Sequence, residues 1–424
     1  MRLSTKPGEG LKEVAFGPKI SYFLSPYISL PNNECLLFDG FITTLGGKEE
    51  VFFKKFLQNH TIRELVESSE TWDGCWSIIY INSGGSVFCF TDPLGKKQLY
   101  YNKYGEIAST IAPLRRDSSL DRLYIGEIYK WGYNTDELTP FKDVKRIMPG
   151  KLYFFMSSTL QYADPEMNFD ERVFFQISPK QLREVIEDRV RDYLVGTENE
   201  ESIGVLLSGG LDSSVISYCL LRLRAHGQIP RTTKLNFYTI NNAEDAPYVE
   251  IFAKHFGIKV KTLKYDVENV DFERALAINE TPVDLGSMVP NQLMFEAIPD
   301  RFIFTGDGPD ELFGGYRRID DYDSQRSDIF HELSFYHLPR LEKAARYFHK
   351  ELRCPWLSYG ILKYALSLPL EQRTHKEIIK QAFTGILPQE IIDRPKLPLK
   401  NNMIRNNPMG YRAFLLSKFE DIIK

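Results

Sequence analysis

The sequence predicts an α/β protein in two parts, a sheet-rich first portion followed by a doubly wound parallel sheet. Three observations predict it. Up to about residue 165 the apolar residues fall in short β-branched and aromatic runs divided by turn residues. From about Ser178 the spacing becomes helical, and short apolar runs then alternate with helical segments. Two of those runs lead straight into glycine-rich loops, "SGGLDSS" and "TGDGPDE".

In the first portion, "ECLLFDGFITT" and "CWSIIYINSGGSVFCFTD" read as strands, with Ser83-Gly84-Gly85 as a hairpin turn. Further turns come at Asp92-Pro93-Leu94-Gly95 and at Pro149-Gly150, which leads into the strand "KLYFF". In the second portion, Leu182, Val185, Ile186, Val190 and Tyr193 recur at helical spacing and predict a helix over 179–196. The run Ile203–Leu207 is short enough for a buried parallel strand. A helix follows, then strand "KLNFYTI", helix "APYVEIFAKHF", strand "KVKTLKY" and, later, strand "RFIFTG". Beyond about Arg317 the chain reads as largely helical. The expected domains are 1–170 and 171–424.

The chain has 424 residues, too many for one ordinary core. It is 43% hydrophobic and 26% charged with a formal net charge of −4, which excludes a polyelectrolyte partner for nucleic acid. No apolar stretch approaches the ~18 residues of a membrane span. The start, "MRLSTKPGEGLKEVAF", lacks the apolar core of a signal peptide, so a cytoplasmic protein is expected. Cys35, Cys75, Cys89, Cys219 and Cys354 are scattered and form no CxxC pair, so they read as reduced core residues.

The first loop, Ser208-Gly209-Gly210-Leu211-Asp212-Ser213-Ser214, joins a parallel strand to a helix, which is where open α/β sheets bind ligands. Two glycines let the backbone approach a phosphate and adopt positive φ. The serines and the free N–H groups of the helix start can donate to phosphate oxygens. Asp212 beside phosphates is repulsive unless a cation lies between them, which implies Mg²⁺. A plain capped helix start explains one or two of these residues, not all seven. No GxxxxGK[ST] occurs, so this is not a Walker P-loop. The second loop, "FTGDGPDELFGGYRR", also follows a strand and carries Asp307, Asp310 and Glu311 among four glycines.

The first loop resembles the pyrophosphate-binding loop of the N-type ATP pyrophosphatases. The second resembles the asparagine synthetase signature G-E-G-x-D-E-x-F-G-G-Y. Together they resemble the asparagine synthetase and β-lactam synthetase family. The resemblance implies that Ser208, Gly209, Gly210, Asp212, Ser213 and Ser214 hold pyrophosphate. It implies Asp212 and Asp310 as Mg²⁺ ligands, and Leu207, Ile240, Thr305 and Gly306 as the lining of the ATP site. Asp307 stands in place of a glutamate implicated in adenylate formation and amide chemistry, one methylene shorter. "LPQEIIDRPKLPLKNN" resembles the segment L-P-x-x-[IV]-x-x-R-x-K, so Lys396 falls on a lysine that stabilises the acyl-adenylate and the later tetrahedral intermediate. "ELRCPWLSYGILKYAL" resembles E-x-R-x-P-[FW]-L-D, with Ser358 in place of the aspartate and Glu351 and Arg353 as an ion pair.

The first portion is similar to the family's glutamine amidotransferase domain through "WDGCWSIIYINSGGSVFCFTDPLGKKQLYY" and "FKDVKRIMPGKLYFF". The implied fold is an αββα sandwich of the Ntn amidotransferase type, followed by an adenine nucleotide α-hydrolase-like parallel-sheet domain with a helical C-terminal region. The amidotransferase chemistry does not carry over. Met1 is followed by Arg2 where that chemistry needs a cysteine, the R-G-P-D motif is gone, and "FDGFITT" is a remnant of N-G-E-I-Y-N. The expectation is an ATP- and Mg²⁺-dependent amide-forming ligase without glutaminase activity. It would adenylate a small-molecule or peptide carboxylate and pass the acyl group to an amine or ammonia. A specialised amidating or cyclising ligase is favoured over asparagine synthesis from free ammonia. A tRNA-thiolating enzyme and a catalytically inactive binding protein stand as the other classes. No membrane or nucleic-acid partner is expected, and a homodimer is left open.

Overall fold

The computed structural model describes residues 2–4, 12–16, 19–23, 27–134, 136–156, 159–163, 177–241, 243–264, 271–283, 288–315, 332–368, 373–395 and 408–423. Residues around the expected boundary at 170 lie outside that set.

Among the described residues, twelve strands precede residue 164: β1 (Arg2–Ser4), β2 (Lys12–Phe16), β3 (Lys19–Phe23), β4 (Ile28–Ser29), β5 (Cys35–Ile42), β6 (Gly74–Ile81), β7 (Val87–Thr91), β8 (Tyr100–Asn102), β9 (Ile107–Ala108), β10 (Val144–Arg146), β11 (Tyr153–Met156) and β12 (Thr159–Ala163). They form two antiparallel sheets, in the orders β10-β8-β9-β1-β3-β2 and β12-β11-β7-β6-β5-β4. Alternation along β5 and β6 explains why both faces of the second sheet are apolar. Cys35, Leu37 and Ile79 point to the first sheet and meet Leu99, Tyr101 and Ile107 there. Leu36, Trp76 and Ile78 point outward against Phe53 of α1 (Glu49–Phe56) and Leu65 of α2 (Ile62–Ser69).

The outer face of the first sheet is covered in a way the sequence does not announce. Leu114 of α3 (Ala112–Arg115) packs there, and α4 (Arg122–Trp131) lies alongside. Most of the cover comes from the second half of the chain. Ala275 and Leu276 of α8 (Phe272–Asn279), Met288 of α9 (Met288–Ala297) and Leu415 of α15 (Pro408–Ile423) pack on Tyr100, Ala108 and Val144. The fourth layer of the sandwich is therefore shared between the two halves.

The second half is built on five strands, β13 (Ser202–Leu206), β14 (Lys234–Ile240), β15 (Val260–Leu263), β16 (Phe302–Phe304) and β17 (Glu351–Arg353). Their order is β15-β14-β13-β16-β17 and every pair is parallel. Around them lie α5 (Pro179–Asp192), α6 (Leu211–Ala225), α7 (Ala246–Phe256), α10 (Pro309–Leu312), α11 (Leu338–Tyr347), α12 (Tyr359–Ser367), α13 (Glu377–Phe383) and α14 (Gln389–Ile392). Helix α5 starts at a Ser178/Gln181 capping box and stops at Asp192, short of the expected residue 196. Beyond Arg317 the described residues are largely helical, as expected, with one strand, β17, that the sequence did not announce. It is a three-residue edge strand, "ELR", too short and too charged to show a strand period, and it exists because Phe302–Phe304 offers it a ladder.

This topology fixes where a site can lie. The chain leaves β13 towards β14 and β15, then returns to the other flank of β13 for β16 and β17. The β13/β16 pair is the switch point of the sheet, and the crevice beyond its strand ends is the place for a ligand. Both glycine loops emerge there. Among the described residues no helix is long and apolar enough to cross a membrane.

Candidate functional site

The first loop leaves β13 through Leu207, which is buried and whose N–H donates to the Tyr238 carbonyl at 2.8 Å. Ser208 is exposed. Only one of the two glycines takes positive φ: Gly209 lies at +69°, whereas Gly210 is an extended helix cap at −77°. The loop closes on itself through Ser213. The Ser208 N–H donates to Ser213 Oγ at 3.1 Å, and Ser213 Oγ donates to the Gly210 carbonyl at 3.2 Å. Ser214 is placed differently. It is fully buried, its N–H donates to the Gly210 carbonyl at 3.0 Å, and its hydroxyl faces the interior without a partner.

The second loop lies against the first. The Thr305 N–H donates to the Arg353 carbonyl at 3.0 Å, fixing the exit from β16. A Cβ on Gly306 would sit 2.6 Å from the Ser213 backbone nitrogen, so only glycine lets the loops touch. Asp307 is exposed at the loop crest. Helix α10 then carries Asp310 and Glu311, both buried.

Asp212 and Asp310 meet at a lysine that the sequence reading missed. Lys376 Nζ lies 2.5 Å from Asp212 Oδ2 and 2.5 Å from Asp310 Oδ1. All three side chains are nearly buried, at 8% exposure for Lys376, 13% for Asp212 and 10% for Asp310. Two carboxylates, each from the first turn of the helix that follows its loop, thus share one cation. The backbone at Lys376 is strained to deliver it: His375 has φ 54° and Lys376 φ 58°. Each left-handed non-glycine residue costs on the order of 1–3 kcal/mol and persists only where its surroundings impose it. They do so here, because the N–H groups of His375 and Lys376 donate to the carbonyls of Gly314 and Phe313 at 2.9 and 2.8 Å. Gly315 leaves the space, since a Cβ there would fall 2.6 Å from Lys376 Cε.

Behind this cluster stands a relay. His337 Nε2 lies 3.3 Å from Glu311 Oε1, and Arg340 Nη2 lies 2.7 Å from His337 Nδ1. An arginine can only donate, so Nδ1 accepts and the ring proton is on Nε2, facing Glu311. Burial pushes the Glu311 carboxyl up, and His337 opposes that.

The other expected residues divide. Ile240 ends β14, half-buried at the same strand edge. Lys396 lies outside the described residues. Its neighbour Arg394, which the sequence reading passed over, donates to the Ser208 carbonyl at 2.8 Å, pairs with Asp245 and lies over the Tyr248 ring. Glu351 and Arg353 do pair, at 3.5 Å. Arg353 faces away from the loops, donating to the Val195 carbonyl and lying 3.5 Å over the Phe41 ring, and burial pulls its guanidinium down to about 10. Ser358 keeps a cap role at α12, accepting from the Ile361 N–H at 3.4 Å. Little in the sequence marks Lys376. It directly precedes the helix that buries Ile378, Ile379 and Phe383, where a lysine reads as an ordinary flank.

The two halves also join through charge. Lys97 pairs with Glu342 at 2.5 Å, and Arg346 pairs with Glu342 at 3.2 Å and with Asp39 at 2.8 Å. Asp73 accepts from the Tyr193 hydroxyl at 3.1 Å and the Tyr359 N–H at 3.0 Å. All five cysteines are buried and unbridged, and burial pushes the Cys35 and Cys354 thiols up to about 12.

The donor set fits Mg²⁺. That ion is commonly held by one or two carboxylates while phosphates and waters complete its shell. Among the described residues no cluster of three or more acids, histidines or cysteines offers a dedicated metal cage. The Lys376 ammonium stands where a cation between the two acids would be.

A family model described as asparagine synthase matches residues 181–350 and 324–418. The chain is 26% identical over 286 residues to the glutamine-hydrolyzing asparagine synthetase of Gallus gallus, covering 62% of this chain and 50% of that protein. It is 25% identical over 236 residues to the glutamine-hydrolyzing asparagine synthetase of Homo sapiens, covering 51% of this chain and 42% of that one. The chain spans about half the length of the curated relatives it matches. Among solved structures, a U34-tRNA thiolase from Methanococcus maripaludis is similar over 57% of this chain and 80% of that chain, at 16% identity and a TM-score of 0.30, too low to bear on function.

Proposed function

The chain belongs to the asparagine synthase family, and from that premise we propose that it is an ATP- and Mg²⁺-dependent amide-forming ligase without glutaminase activity. The observation that carries the reading is the pair Asp212 and Asp310, brought to one cation at the switch point beside two touching glycine loops. A phosphate chain needs close backbone approach, free N–H donors and a compensated acid pair, and these are the groups assembled there.

In this reading Ser208, Gly209, Gly210 and Ser213 hold the β- and γ-phosphates, and Leu207, Ile240, Thr305 and Gly306 line the nucleotide. Asp212 and Asp310 hold Mg²⁺, which neutralises phosphate charge when bound. Lys376 keeps the two acids compensated before nucleotide arrives and is then free to turn to a phosphate oxygen. The buried Ser214 supports the loop from beneath. A substrate carboxylate oxygen attacks the α-phosphorus and pyrophosphate leaves. The nitrogen of an amine or ammonia then attacks the acyl carbon, loses a proton, and AMP leaves. Asp307 faces solvent at the loop crest, where it can orient the incoming groups. Lys396 stabilises the negative charge of both steps.

The absence of glutaminase activity is supported by the burial of all five thiols. The favoured reaction is a specialised amidation or cyclisation, with asparagine formation from free ammonia as the alternative. Pyrophosphate release from Mg·ATP on adding candidate carboxylates tests the reading. Release that depends on both the acid and Asp212 supports it. No release with amino-acid, dicarboxylic or peptide acids, under conditions where ATP binds, contradicts it.

A further inference from the structure

Away from the glycine loops, a partly open cavity lies where the two halves meet. It has about 40 Å³ of open space, room for a carboxylate-sized group and not for a nucleotide. The first half contributes Tyr124, Asn134 and Arg146 to its wall, and the second contributes Arg340 and Lys343.

Arg146 sets its chemistry. The residue is 5% exposed. One guanidinium nitrogen, Nη2, donates to the Ser334 carbonyl at 2.6 Å, and the plane lies 4.5 Å over the Phe335 ring. Its Nε has no hydrogen-bond partner. Among the described residues no carboxylate pairs with it. Asp92, whose charge does reach it, is occupied by the N–H groups of Trp76, Leu94 and Lys97. Lys343 is similarly placed. Its Nζ donates to the Asn279 carbonyl at 2.8 Å, and its ion pair with Glu280 is long, at 3.8 Å. Glu280 is held instead by the N–H groups of Ile111 and Ala112, at 2.9 and 2.7 Å. Among the described residues the one acid in the wall, Asp136, is exposed.

A buried guanidinium without a counter-ion is costly, and here it opens onto space beside a second buried cation. We infer that this cavity is a binding site for the carboxylate of a small acid. A planar guanidinium edge matches a planar carboxylate, and the size of the cavity admits only such a head group. Arg340 also joins the cavity to the glycine loops, through His337 and Glu311 to the residue next to Asp310. The acid is either a second carboxylate of the ligase substrate, an assignment that rests on the proposed function, or a separate small acid.

The test is a thermal-shift titration of the full chain with acetate, succinate and inorganic phosphate at constant ionic strength. The site predicts a saturable rise in Tm with a carboxylate and none with phosphate. Arg146→Gln weakens the carboxylate at least about tenfold, the worth of a charged hydrogen bond. Arg146→Lys keeps the charge, loses the planar fork and weakens the carboxylate severalfold, so a folding failure of the first variant does not leave the question open. Mg·ATP affinity, measured by calorimetry, stays unchanged in both variants, which separates failure here from failure of the ligase reading. If the stabilising acid also triggers pyrophosphate release, the source is the substrate; if it does not, the source is a separate acid. No saturable effect of any carboxylate on the wild type, equal binding of phosphate, or equal affinity in both variants overturns the inference.

Discussion

Replacing Lys376 by methionine removes one ammonium and keeps most of the stem that packs beside Gly315. The consequence follows from the burial of all three partners, each at 13% exposure or less. Removing one member of a buried ion pair costs about 3–5 kcal/mol, because the other charge is left uncompensated. Here two carboxylates are left facing one another, while their slight exposure admits some solvent, so about 3 kcal/mol is a fair expectation. For a cooperative unit of roughly 250 residues that corresponds to a fall in Tm of about 6–12 °C. Scanning fluorimetry in EDTA reads it. Mg²⁺ should return most of the loss in Lys376→Met and change the wild type little, since the divalent ion takes the place of the ammonium between the same oxygens. An unchanged Tm in EDTA, or a loss that Mg²⁺ leaves untouched, refutes the reasoning.

Asp39 supplies a pH test. Burial raises its carboxyl, but the charges of Arg346 and Lys97 outweigh that and hold it below the usual carboxylate range. A depressed acid contributes stability above its unfolded pKa of about 3.9 and loses it as the pH falls. Asp39→Asn should therefore be less stable than wild type at neutral pH, with the gap closing below about pH 4; urea midpoints that differ equally at all pH values contradict this. Gly306→Ala places a methyl 2.6 Å from the Ser213 nitrogen, so it should part the loops and lower Mg·ATP affinity by more than about tenfold, the equivalent of 1.4 kcal/mol, and calorimetry showing wild-type affinity rules it out. Glutamine should yield no glutamate with or without ATP, because every thiol is buried; clear turnover would reveal another nucleophile.

The parts of this molecule that were legible in sequence are those with a period or a motif. Strands β13 and β14 and helix α7 announce themselves by apolar runs and spacing, and both glycine loops are contiguous, so seven residues in order carry their own chemistry. What stayed hidden depends on tertiary contact. Strand β17 has three residues and no period of its own. The outer layer on the first sheet comes from α8, α9 and α15, more than a hundred residues further along the chain than the strands they cover. Lys376 and Arg394 are single cations whose roles arise only when Phe313 and Ser208 come within hydrogen-bond reach. The loop reading also erred in detail, since one glycine of the first pair is extended and Ser214 faces the core.

In the proposed ligase, Asp212 and Asp310 form one metal-dependent nucleotide site. Calorimetric titration of ATP into the wild type, Asp212→Asn and Asp310→Asn, each with and without Mg²⁺, tests it most directly. The wild type should bind saturably and only with Mg²⁺, and each variant should lose at least about tenfold in affinity, the equivalent of 1.4 kcal/mol. Unchanged Mg·ATP affinity in both variants would contradict it.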